Sequence, residues 1–189
     1  HRGSGHSGQQ GLNYLHRNLG KWEMEDYISW VKWLREQPFV DAGKIMITGG
    51  SYGGYLTALA LTYGAEYFKF GISQFPVTDW LLYDSHYTER YMDHPKDNPE
   101  GYKFASVMNH VENYQKHGPS MLRIEHGTMD DNVHMQNSIQ LIDQLQNRNK
   151  SFEFMLIPNE RHGWYGSKYR FTSAEYQRFI SRYLYGSGK

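Results

Sequence analysis

Lys44-Ile45-Met46-Ile47-Thr48-Gly49-Gly50-Ser51-Tyr52-Gly53-Gly54-Tyr55 joins two kinds of sequence through a cluster of glycines. Residues 44–49 form a short apolar run rich in β-branched side chains and closed by glycine, which predicts a strand, and residues 55–63 are compatible with a helix. Between them, Gly49-x-Ser51-x-Gly53 has the pattern of a nucleophile elbow, a sharp strand-to-helix turn that projects a serine hydroxyl at the helix N-terminus. Small neighbours are expected there because bulk would strike the adjoining strand and helix. The first-turn amide of Tyr52 then points where an oxyanion would form, with the helix dipole behind it. A phosphate-binding loop shares some of this pattern, but the Walker lysine is missing.

A serine is a weak nucleophile without a base and an orienting acid, and on this kind of sheet they follow in the order serine, acid, histidine. Working outward from Ser51, further strands are expected at 70–75, 121–126 and 152–157, with helices at about 133–147 and 173–185. Alternating strands and helices imply crossovers and a mostly parallel sheet flanked by helices, an α/β fold. After the third strand comes His126-Gly127-Thr128-Met129-Asp130-Asp131-Asn132-Val133-His134, with two carboxylates; after the fourth comes Pro158-Asn159-Glu160-Arg161-His162-Gly163, with an imidazole. Catalytic groups gather at the carboxyl ends of such strands, so Ser51, one of the two aspartates and His162 are expected to converge. The residues alone do not choose between Asp130 and Asp131. His126, Asp130, Asp131 and His134 are also competent metal ligands, but no familiar zinc spacing is present, and no metal or other cofactor is expected.

The remaining sequence frames this site. Trp22, Tyr27, Trp30, Val31 and Leu34 recur at helical spacing before Pro38, predicting an amphipathic helix whose apolar stripe faces the sheet. Residues 76–119 contain no strand pattern and read as a helical insertion over the sheet's edge. The 189 residues carry 20 basic and 20 acidic side chains, so no net field gathers nucleic acid. There is no cysteine, hence no disulfide and no thiol chemistry. The opening His1-Arg2-Gly3-Ser4-Gly5-His6-Ser7-Gly8 reads as an internal loop, suggesting a start in mid-domain, and Gly186-Ser187-Gly188-Lys189 reads as a frayed end.

Gly50-Ser51-Tyr52-Gly53-Gly54-Tyr55, Tyr83-Asp84-Ser85-His86-Tyr87-Thr88-Glu89-Arg90-Tyr91, the 126–134 segment and Arg161-His162-Gly163 together resemble the dipeptidyl peptidase IV branch of the prolyl oligopeptidase family. The resemblance covers nearly the whole chain. It implies an α/β-hydrolase fold, of which residues 1–189 are the C-terminal part, with the early strands and an N-terminal β-propeller lying elsewhere. It implies Ser51 as nucleophile, Asp130 as orienting acid, His162 as base and the Tyr52 amide as an oxyanion donor. It also implies a proline-ring pocket walled by Val77, Trp80, Tyr83, Tyr87 and Val133, with Asn132 holding a substrate carbonyl and Arg90 beside the amine-binding region. The implied activity is release of dipeptides or tripeptides after a proline near a peptide's N-terminus. An esterase or acylaminoacyl peptidase would share the reacting residues without needing the tyrosine pocket, and a non-catalytic module could keep the fold alone. The resemblance further implies a homodimer and a periplasmic, cell-surface or secreted location. The chain departs from the pattern at Gly50, where this branch commonly carries tryptophan, which implies a looser elbow. With the propeller, the amine-binding acids and an upstream oxyanion tyrosine outside it, the isolated segment is expected to be a poor enzyme, stable only beside the rest of the protein.

Overall fold

The computed structural model describes residues 1–186; of the end expected to fray, residues 187–189 lie outside the described residues. Four parallel strands, β1 (Met46–Gly50), β2 (Phe70–Gln74), β3 (Met121–Gly127) and β4 (Glu153–Ile157), lie side by side in chain order. All four begin within two residues of the expected positions. In a strand successive side chains alternate between faces, so β1 and β3 each send side chains to two separate cores. Leu122 and Ile124 join a large cluster with helices α3 (Tyr52–Thr62) and α6 (Gln136–Asn147). Phe70 and Ile72, with Met46 and Met121, meet Phe179, Tyr176 and Tyr183 of α7 (Gly166–Tyr183) on the other face. The sheet is therefore covered on both sides, as parallel sheets are.

Helices α1 (Gly8–Asn13), α2 (Lys21–Arg35), α4 (Ser85–Met92) and α5 (Pro99–Ala105) complete the set. The glycine-rich opening is loop over residues 1–7, as expected, and α1 begins at its last residue, Gly8. On α2, Met24 and Val31 are buried but Trp30 is 62% exposed and packs edge-on against Trp33, so the expected stripe is rotated: the face that enters the core carries Met24, Val31 and the buried acid Glu23. Helix α6 starts at Gln136, not near Val133, because the amides of Asn132 and Val133 donate to Asp130 Oδ1, at 3.0 Å each, and the chain is still folded around that carboxylate. Helix α7 starts seven residues early, its first turns carrying exposed Tyr169 and Phe171 that hide any apolar period.

Residues 76–119 contain no strand, as expected. A 3-10 segment, Val107–Asn113, packs on α3 and α6 in the helical layer. Thr78 ties the excursion to α6, its amide donating to Asn137 Oδ1 at 2.9 Å and its hydroxyl to Asn137 O at 2.8 Å.

Candidate active site

Ser51 sits between β1 and α3 with φ 57° and ψ −119°, a conformation that L-residues adopt only when their surroundings enforce it. Its amide donates to Gln74 O on the neighbouring strand at 3.0 Å, and its carbonyl accepts from Tyr55 N at 2.9 Å, so the turn is pinned from both sides. The expectation about small neighbours holds for Gly49, where a Cβ would lie 2.6 Å from the Gly53 carbonyl carbon. It fails for Gly53, where a Cβ would meet nothing within 4 Å. Tyr52 opens α3, and an amide in that first turn has no partner within its own helix.

Across the carboxyl ends of the strands, His162 Nε2 lies 2.8 Å from Ser51 Oγ and His162 Nδ1 lies 2.8 Å from Asp130 Oδ2. The serine and histidine are 111 residues apart in the chain. Of the two aspartates, Asp130 turns inward to the imidazole, whereas Asp131 turns outward to an exposed ion pair with Arg161 at 2.8 Å. Asp130 is held at both oxygens: Oδ1 by the two backbone amides, and Oδ2 by His162 with His126 Nε2 3.3 Å away. Burial pushes its carboxyl up, but the hydrogen bonds from His126, His162 and the Asn132 amide outweigh burial and hold it below the ordinary carboxylate range. His126, fully buried, donates from Nε2 to Val133 O at 2.8 Å while Ser138 Oγ sits 2.7 Å from Nδ1, which fixes its tautomer.

The loops that bring acid and imidazole together are stitched backbone to backbone. Thr128 N donates to Ile157 O and Met129 N to Glu160 O, at 3.1 and 2.9 Å. A Cβ at Gly127 would fall 2.4 Å from Glu160 O and 2.5 Å from Arg161 O, so glycine is what lets the two loops touch. Among the described residues, no group of three or more His, Asp or Glu side chains is arranged to hold a metal ion.

The expected pocket residues separate into two sets. Val77, Trp80 and Val133 are buried in the main core, while Tyr83 and Tyr87 are partly exposed. Trp80 stacks on Tyr87 with ring centroids 5.9 Å apart, Tyr83 meets Tyr87 edge-on at 5.3 Å, and Tyr52, next to Ser51, reaches Trp80 at 5.6 Å. The cluster is thus continuous with the elbow. The Tyr83 hydroxyl donates to Asn132 Oδ1 at 2.7 Å. Burial, with neighbouring tyrosines and acids, pushes the Tyr87 phenol up to about 12, so this wall carries no charge at neutral pH. Arg90 is exposed on α4 and donates to His86 Nε2 at 2.9 Å.

Three residues important to this arrangement carry no motif of their own. His126 backs Asp130; Glu23, fully buried, accepts a hydrogen bond from the Tyr52 hydroxyl; and the Phe75 ring lies 4.6 Å from the His162 ring. Burial raises the Glu23 carboxyl above its usual range. Only the His126 position was visible in the sequence, as a ligand type beside two aspartates.

Comparison with known proteins gives the same context to the whole chain. The model of the prolyl oligopeptidase family matches residues 1–186. The protein named "Probable dipeptidyl-aminopeptidase B" of Neurospora crassa is 42% identical over 166 residues, 87% of this chain and 18% of its own length. Dipeptidyl peptidase 4 of Bos taurus is 41% identical over 164 residues, 86% of this chain and 21% of its own. The crystal structure of Porphyromonas gingivalis dipeptidyl peptidase 4 superposes with a TM-score of 0.84 at 34% identity, covering 92% of this chain and 24% of that one. The chain spans about a fifth of the length of the curated relatives it matches. With its parallel sheet flanked by helices, the chain belongs to the prolyl oligopeptidase family, in its dipeptidyl peptidase IV branch.

Proposed function

We propose that this chain carries the reacting groups of a serine exopeptidase that releases dipeptides, or tripeptides, after a proline near the N-terminus of a peptide. The observation that carries the reading is the unbroken line Asp130–His162–Ser51, with both hydrogen bonds at 2.8 Å and the serine on a strained elbow. His162 Nε2 takes the Ser51 proton as Oγ attacks the carbonyl carbon of the proline residue, while Asp130 keeps the Nδ1–H tautomer and stabilises the imidazolium. The tetrahedral oxyanion is held by the Tyr52 amide at the start of α3, a type of contact whose loss typically costs about 100- to 1000-fold in rate. His162 then returns the proton to the leaving amine, and water, deprotonated by the same imidazole, releases the acyl group.

Selection falls to the aromatic wall. An uncharged slot of Tyr83 and Tyr87, backed by Trp80, Val77 and Val133, suits a compact apolar ring and penalises charged side chains, whose desolvation goes uncompensated. Asn132, its carbonyl side engaged by Tyr83, offers its amide nitrogen to the carbonyl of the preceding substrate residue, and Arg90 lies on the substrate's amine side. At the scale of the whole protein, the reading includes residues 1–189 as the C-terminal part of the hydrolase domain. It also includes an N-terminal β-propeller, a homodimer and a periplasmic, cell-surface or secreted location, each supported by family membership.

The test is hydrolysis of Ala-Pro and Ala-Leu leaving-group substrates by the full-length protein, with fluorophosphonate labelling of Ser51. The expected result is a proline preference, abolished with the label by Ser51→Ala. Labelling without proline preference would favour an esterase or acylaminoacyl peptidase, and turnover retained by Ser51→Ala would overturn the nucleophile.

A further inference from the structure

Gly50 and Phe75 share one volume. A Cβ built on Gly50 would lie 2.8 Å from both Cε2 and Cζ of Phe75, so the phenyl ring fills the space that a side chain at position 50 would take. Phe75 reaches that space through φ 36°, a left-handed conformation that a bulky residue keeps only when its neighbours enforce it. Its amide donates to Glu125 O on β3 at 2.6 Å, while the carbonyl of the preceding residue, Gln74, accepts the Ser51 amide. One turn therefore both pins the elbow and aims the ring. The ring lies with its centroid 4.6 Å from that of His162, inclined by 57°, and is braced from another side by the buried Trp164, edge-on at 5.0 Å.

Hydrogen bonds to Ser51 and Asp130 direct the two nitrogens of His162, but each tolerates small rotations about the histidine side-chain bonds. A ring packed on the imidazole removes that freedom. We propose that Phe75 is a positioning residue for His162, acting through the orientation of the imidazole, and that Gly50 is the vacancy which admits it. The proposal rests on His162 being the base, as read above. It accounts for the departure at Gly50: the space next to the elbow is filled from the adjacent strand end, not left loose.

The experiment is steady-state kinetics of the full-length protein on an Ala-Pro leaving-group substrate, with thermal melts and fluorophosphonate labelling of each variant. For Phe75→Ala, kcat should fall by about 10- to 100-fold with KM changed by less than about threefold, the signature of a misaligned reacting group. Gly50→Ala should lower kcat in the parent, because its Cβ would displace the ring on which His162 packs, and should cost little further in the Phe75→Ala background. Phe75→Leu keeps apolar bulk without the flat ring; it should melt like the parent yet lose kcat, and it serves as the decisive variant if the alanine form does not fold. A kcat for Phe75→Leu within about twofold of the parent, a loss confined to KM, or additive effects of Gly50→Ala and Phe75→Ala would overturn the proposal. Absence of Ser51 labelling in the parent protein would instead overturn the reading of the triad on which it depends.

Discussion

The line Asp130–His162–Ser51 and the wall Trp80–Tyr83–Tyr87 meet at Tyr52, but they are held by different forces. The first is set by hydrogen bonds of 2.8 Å between loops that are themselves sewn together through the backbone. The second is set by rings with centroids 5.3 to 6.0 Å apart, carried on an excursion that leans on helices. Hydrogen bonds weaken steeply with distance and angle, whereas ring packing accepts small displacements at little cost. Damage to the first should therefore appear as lost rate, and damage to the second as altered choice of substrate.

The contrast is tested most severely at the aspartate pair. Asp130→Asn leaves the shape intact but favours the wrong tautomer, and kcat should fall by about 10⁴-fold. Asp131→Asn breaks only an exposed pair with Arg161, a type of interaction worth about 1 kcal/mol or less, and should leave kcat close to the parent value. Equal losses at the two positions would erase the distinction between them.

In the wall, Tyr87→Ala should lower the preference for Ala-Pro over Ala-Leu substrates by about 10- to 200-fold, the range for reshaping an apolar pocket, while Ser51 still takes up a fluorophosphonate. Loss of labelling in that variant would mean that wall and line are one mechanical unit. Gly127→Ala probes the stitching of the loops: its Cβ would meet two backbone oxygens, and the full-length protein should lose about 1 to 3 kcal/mol in stability by denaturant melts.

The smallest expected effect is a pH dependence. Asp130 is held low, so its contribution to stability is complete above the ordinary carboxylate range and is lost as pH falls through its depressed value. Glu23, beneath Tyr52, is held high and has the opposite sign: its contribution is complete in acid and is lost as pH rises through its raised value. Glu23→Gln should therefore gain stability relative to the parent as pH rises across that interval, read as a difference in melting temperature. A pH-independent difference would show that burial is not what perturbs this carboxyl.

How much of this could be read in advance follows the range of the forces involved. The four strands announced themselves because Ile45-Met46-Ile47, Phe70-Gly71-Ile72 and their counterparts are short apolar runs bounded by turn residues, a local signal. Ser51, His162 and the pair Asp130-Asp131 were legible because each follows a strand and because their order along the chain suits such a sheet, whereas the choice of Asp130 within the pair came from the family resemblance. The start of α6 was not, since residues 132 and 133 give their amides to a side chain that only tertiary structure brings into play. The exposure of Trp30 was misread for a related reason: helical spacing identifies a stripe but not which neighbour it meets. Phe75 looked like the last residue of a strand, and nothing local says that its ring crosses to His162.

The order of strands has a consequence for the chain as it is made. Because the sheet is laid down β1, β2, β3, β4 in sequence, the serine is synthesised first and the imidazole last, beyond β4. A nascent chain that has emerged only as far as α6 contains Ser51 and Asp130 but not His162. On the proposed reading, the line Asp130–His162–Ser51 is thus closed only after the segment beyond β4 has been made and has docked.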